Sequence, residues 1–158
     1  MYFVFVLLTT ILLPIGCTVW KAMGQPINIV LDTALKWFVF WGIGIRLGLA
    51  GARQFLQPRF TAREIFKLEG DGVCTLVKEL GISNLGAGIV ALLSLLQPSF
   101  AMPIGIWAAL FYAAAGFAHI GDANRSFKEN VALITDLFMF AALTTAIVGI
   151  YLWRGGGG

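Results

Sequence analysis

An arginine set within a stretch that otherwise reads as bilayer-spanning makes a chemical demand on the rest of the chain. The stretch Trp37 to Phe55, WFVFWGIGIRLGLAGARQF, carries Arg46 near its middle and Arg53 seven residues later. An arginine at mid-membrane depth costs about 2.5–3.5 kcal/mol on insertion scales, so it should face protein and have a partner. The other polar residues set in apolar stretches are Glu79, Asn84, Tyr112, His119, Asn130 and Asp136. A bidentate carboxylate is the partner that makes a guanidinium tolerable in low dielectric. Glu79, His119 and Asp136 also offer two carboxylates and a histidine, types that can ligate a metal, act as acid and base, or relay a proton. The arginines compete for those same carboxylates, and no nucleophile motif accompanies them. These residues therefore give no metal site, and they leave open which residue, if any, is catalytic and whether a cofactor binds.

These residues need helices to position them. The chain is 59% hydrophobic and 12% charged, with a mean hydropathy of +0.87. A soluble domain is about half apolar and about a quarter charged, so the departure on both counts points to a membrane protein. The formal net charge is +3, with the basic residues spread over loops. That is a pattern for orienting a protein in a bilayer rather than for binding nucleic acid. Cys17 and Cys74 form no CxxC or Cys/His spacing. They fall near opposite membrane faces, out of reach of a disulfide, and read as packing residues.

The spacing predicts an all-α integral membrane bundle of five transmembrane helices, a first helix plus a four-helix core, over about residues 2–20, 28–56, 73–97, 103–120 and 127–153. The first apolar run lacks a basic n-region and an A-x-A site, so it reads as an uncleaved helix kinked before Pro14. Gly24, Gln25 and Pro26 break the chain before the second helix. Asp32 and Lys36 have the i,i+4 spacing of an exposed pair. Trp37 and Trp41 suit the interface. Gly44 and Gly48, with Gly51 and Ala52 a turn on, let another helix approach closely, as ordinary packing inside the bundle. Thr61 and Glu64 have capping-box spacing and predict a short interfacial helix near residues 61–69. Gly81, Asn84 and Gly88 form a small, polar, inward face on the third long helix. Pro103 suits the first turn of the fourth, where Gly105, Tyr112 and His119 share a face flanked by alanines. Ser126 and Glu129 repeat the capping-box spacing before the fifth, which ends on the interface anchors Tyr151 and Trp153.

Five crossings put the chain start, residues 58–72 and residues 121–128 on one side. That side collects Arg53, Arg59, Arg63, Lys67, Lys78, Arg125 and Lys128, against Lys21, Lys36 and Arg154 on the other. The bias places that first side, and the N-terminus, in the cytoplasm and the C-terminus outside; the membrane expected is a bacterial inner membrane. At 1.5 Å per residue, Arg46 lies about 10 Å deeper than Arg53, and Asp136 about 10 Å deeper than Glu129. Depth therefore matches Asp136 to Arg46 and Glu79 to Arg53, with Asn84, His119 and Asn130 on the same half.

Two readings of the cluster follow. In one, paired charges and Asn hydrogen bonds fix the register of a bundle rich in small residues. In the other, Arg46, Arg53, Glu79, Asn84, Tyr112, His119, Asn130 and Asp136 surround a cytoplasm-facing pocket for a small or amphipathic ligand, lipid or quinone-like. A third class is an accessory subunit of a larger membrane complex. A fourth is an embedded enzyme or proton relay on His119, Glu79 and Asp136. The partners implied are the lipid bilayer and either other membrane subunits or a second copy of the chain; no nucleic acid is expected.

The stretches KWFVFWGIGIRLGLAGARQFLQPRFTAREIF, KELGISNLGAGIVALLSLLQPS, FYAAAGFAHI and ENVALITDLF resemble a bacterial family of small integral-membrane proteins of unknown function, over roughly residues 36 to 150. More distantly, the Glu-Leu-Gly…Asn-Leu stretch is similar to DoxX-like four-helix membrane proteins. The resemblance implies an α-helical membrane bundle with polar positions at Arg46, Glu79, Asn84, His119, Asn130 and Asp136. It brings no activity, and the first helix is additional to a plain four-helix pattern.

Overall fold

The computed structural model describes residues 2–64, 70–120 and 125–156. Among them the chain is helical, with short turns and no strand. Helix α1 (residues 2–22) runs as Tyr2–Leu7, a π-helical Leu8–Leu12, and Leu13–Ala22. Helix α2 spans Ile27–Leu56, α3 is the short Pro58–Glu64, α4 is Asp71–Leu93, α5 is Ala101–Ile120 and α6 is Phe127–Gly155. Five of these are long and apolar enough to cross a membrane. Their outward faces carry large apolar side chains, such as Leu110 at 69%, Leu76 at 65% and Ile134 at 64% exposure. Such a surface suits hydrocarbon as solvent, so the chain is an integral membrane helical bundle.

Local chemistry accounts for the boundaries. Gly24, at φ +76°, makes the turn between α1 and α2, in a backbone region glycine enters without steric cost. Pro14 has no N–H to give, and the helix widens to π register just before it, over Leu8–Leu12. Helix α6 starts with the predicted capping box of Ser126 and Glu129. Three expectations shift. Helix α3 begins at Pro58, at the first helical position proline favours, so Thr61 is an interior residue, 2% exposed, and not a cap. The rest of the predicted 61–69 helix, residues 65–69, lies outside the described residues. Helix α4 ends at Leu93, before a turn and a 3-10 segment at Pro98–Phe100. Asp32 pairs with Arg154 at 3.3 Å across α2 and α6, while Lys36 sits over the Trp37 ring at 5.5 Å.

Helix α2 is the hub, packing against α1, α4, α5 and α6. Its core face, Val39, Ile43 and Leu47, meets Ala91 of α4, Ala108 and Tyr112 of α5, and Met139 and Leu143 of α6. The glycine stripe of α2 is spent on α4. A Cβ on Gly88 would lie 2.5 Å from the Gly48 Cα, and one on Gly51 would lie 2.5 Å from the Leu85 backbone N. Backbone meets backbone along this seam, as expected for intrachain packing of small residues. Although α4 and α5 are joined by a short connection, α4 runs along the second half of α2 and α5 runs along α6.

This seam makes a sharp prediction. Gly88→Val should destabilise the protein by about 3 kcal/mol or prevent folding, because a backbone cannot yield as a flexible side chain can. Gly86→Val, two residues away, where a Cβ would meet nothing within 4 Å, should stay within about 0.5 kcal/mol of wild type. Unfolding titrations in mixed micelles compare the two, and equal effects would rule out a close-packed seam.

Candidate functional site

The site is built around the centre of α2. There the helix leaves α geometry over Val39–Leu47 and takes the wider i→i+5 register. Such segments rotate the following side chains relative to a continuous α-helix and are frequent at functional sites. Arg46 lies near the end of this segment. Its Nη2 donates to Asp136 Oδ1 at 2.8 Å and to Thr135 Oγ1 at 3.1 Å, both on α6. The Arg46 and Asp136 side chains are 12% and 10% exposed. Thr135 can accept from the guanidinium because its own hydroxyl donates to the Val131 carbonyl at 2.7 Å.

Tyr112 of α5 closes the arrangement. Its ring lies 5.4 Å from the Arg46 Cζ, within cation–π range. Its hydroxyl donates to the Gly42 carbonyl at 2.7 Å, inside the same π segment. Gly42 is without a Cβ where Met139 packs against it. On α4, the buried Asn84 donates from Nδ2 to Gln54 Oε1 of α2 at 2.8 Å. Its Oδ1 is buried without a hydrogen-bond partner. Turning both amides exchanges donor and acceptor, so one end of the Asn84 amide stays unmatched in either setting.

These groups share one cavity of about 620 Å³, bounded by residues of all five long helices and by Thr61 of α3. Arg46, Arg53, Asn84, Tyr112 and Asp136 line it. The remaining wall is largely apolar, with Ala114, Ala115 and Ala118 of α5 opening the space. Close-packed interiors hold few voids larger than a water molecule, whereas small-molecule sites typically enclose about 300–1,000 Å³.

The structure sorts the eight residues expected here. Arg46 pairs with Asp136 as depth predicted, and Asn84 and Tyr112 are buried beside the same cavity. Arg53 lines it too, but its guanidinium stacks 4.2 Å over the exposed Phe60 of α3, and the expected pair with Glu79 does not form. Glu79 is exposed. It sits two residues, about 200°, around α4 from Gly81, the residue packed on α2. Asn130 is exposed and accepts from Arg125 Nε at 3.1 Å in the turn leading into α6, away from Arg46. His119 lies in the last turn of α5, and its side chain is outside the described residues. The two carboxylates of the suggested metal or relay triad are thus separated, Asp136 buried on Arg46 and Glu79 exposed on α4. Among the described residues no three His, Cys, Asp or Glu side chains gather. Sequence reasoning missed Gln54 and Thr135. Gln54 extends the 44, 48, 51 glycine stripe by one helical step, a signal that was available. Thr135 gives none beyond its place beside Asp136.

A buried ion pair is costly to break and less costly to replace as a unit. Arg46→Met or Asp136→Leu alone should cost about 3–5 kcal/mol, each leaving a lone charge. The double variant should recover most of that loss, as measured by a double-mutant cycle of unfolding in micelles. Additive losses would mean that the two side chains do not act as a pair.

No curated protein and no solved structure matches the chain. Residues 1–155 match the family of unknown function DUF6790. With nearly its whole length covered and a helical bundle that fits a membrane protein, the chain belongs to DUF6790.

Proposed function

We propose that this small multi-pass membrane protein binds a small or amphipathic ligand, lipid or quinone-like, in the cavity beside Arg46, Tyr112 and Asn84. One observation carries the reading. A buried amide with an unmatched end lies on the wall of an otherwise largely apolar cavity of about 620 Å³. A buried polar atom left unpaired costs about 1–3 kcal/mol. A hydroxyl or carbonyl on a ligand would remove that cost, and an apolar body would fill the alanine-lined space. Because Arg46 is already bonded to Asp136, the neutralised pair forms a fixed polar wall for the ligand head.

Trp107 stacks on Phe111, a wall residue, with ring centroids 5.3 Å apart, which makes it a reporter of occupancy. Titration with decylubiquinone or oleate should quench its fluorescence with saturation. Ala115→Phe, which fills the cavity without touching a polar group, should abolish the quenching. Asn84→Leu should weaken binding about tenfold, the worth of one hydrogen bond. Identical titrations for wild type and Ala115→Phe would sink the proposal.

We further assign the face bearing Arg53, Arg59, Arg63, Lys78 and Arg125 to the cytoplasm, on the bias of basic residues, and the membrane to a bacterial inner membrane, on the resemblance to a bacterial family. An alkaline phosphatase fused after residue 158 should then be active, since that enzyme folds only outside the cytoplasm. An inactive fusion, with a fluorescent protein folding at the same position, would invert the orientation.

A further inference from the structure

A second concavity lies outside the helix core, between α3 and the first two turns of α4. It is a groove of about 710 Å³. Phe55, Leu56 and Phe60 give it an apolar lining, with Leu56 75% exposed. Arg59 and Lys78 also line it and bring its positive charge. Both cations are exposed, and among the described residues neither makes an ion pair or a hydrogen bond. No carboxylate is among the described residues that line the groove. Lys78 stands seven residues into α4, about 10 Å along the axis from its start. A lysine there keeps its stem along apolar surface and lifts its ammonium to the level of the lipid headgroups. Arg59, at the start of the short helix between two spans, sits at that same boundary.

We infer that this groove holds an anionic phospholipid, with its phosphate between Arg59 and Lys78 and the start of an acyl chain against Phe55, Leu56 and Phe60. Two cations without a counter-ion among the described residues, beside apolar side chains at a membrane surface, match a ligand with those two parts. A soluble phosphate would satisfy the cations but leave the apolar lining exposed. A zwitterionic lipid carries its own ammonium beside the phosphate and gains less from the pair. The site is separate from the inner cavity. The stacked Arg53 and Phe60 stand between the two, Arg53 lining the cavity and Phe60 the groove.

The test uses the full chain in nanodiscs of phosphatidylcholine mixed with phosphatidylglycerol, with retained lipid read by native mass spectrometry. Wild type should enrich phosphatidylglycerol about tenfold over its bulk share, as expected where each basic residue near the surface adds to the attraction. Arg59→Gln/Lys78→Gln should return retention to the bulk ratio. Arg125→Gln, which removes a cation from the same face outside the groove, should leave the enrichment in place. The charge-conserving Arg59→Lys/Lys78→Arg variant should keep the enrichment, so a folding defect in the neutral variant cannot imitate the result. The inference is overturned if the neutral variant still enriches phosphatidylglycerol or if Arg125→Gln loses as much. It is also overturned if sn-glycerol 3-phosphate displaces the lipid from wild type, since the phosphate alone would then be the ligand.

Discussion

Arg46 carries its charge near the middle of a helix long and apolar enough to cross a membrane. Water would screen the charge and stabilise it; lipid does neither. Its partners must therefore come from the protein, and they come from two other helices. Asp136 and Thr135 on α6 accept from the guanidinium, while Tyr112 on α5 offers its ring and bonds back to Gly42 of α2. Three helices are thereby tied at one depth. Removal of any one member leaves a group that the bilayer cannot satisfy, so the arrangement fixes the register of the bundle as well as neutralising a charge.

The second constraint is steric. Helices in lipid gain little from burying apolar surface against one another, because lipid tails are as apolar as leucine. Close approach must then come from small residues, and the Gly48–Gly88 and Gly51–Gly81 contacts supply it along α2 and α4. That seam commits α4 to α2, while α5 is committed to α6. Two helices adjacent in sequence and joined by a short turn therefore pack on different neighbours. The cavity occupies the space between them, and alanines on α5 keep it open. Polar pairing and glycine packing together leave a partly open cleft between the helices, and it is there that Asn84 presents an unmatched amide.

Much of this was legible in the residues. The apolar runs, the prolines and glycines between them, and the Ser126–Glu129 capping box gave five crossings within a few residues of their ends. Depth arithmetic found Asp136 for Arg46, because rise per residue is nearly constant along a helix and charges in lipid must meet at one level. The same arithmetic misassigned Glu79 to Arg53, since depth says nothing about direction around the axis. Glu79 points away from the seam that orients α4, and Arg53 finds an aromatic ring instead of a carboxylate. Thr61 and Glu64 have the spacing of a cap, but Pro58 three residues earlier starts the helix first, and Thr61 is buried within it. Asp32 had a partner at i+4 and took one from α6. Exposed charges are held weakly enough for tertiary neighbours to choose between local pairings.

By itself the sequence determined that this chain is a helical membrane bundle and that Arg46 requires an internal carboxylate. Both follow from one-dimensional quantities: hydropathy, helix rise and the cost of a charge in hydrocarbon. Only the tertiary structure decided which polar residues share a space. The angle at which each side chain leaves its helix depends on the π register of Val39–Leu47 and on how the glycine seam rotates α4 against α2. Neither can be read from a constant period. Those rotations gather Asn84, Tyr112 and the Arg46–Asp136 pair around one cavity, and leave Glu79 and Asn130 on the surface.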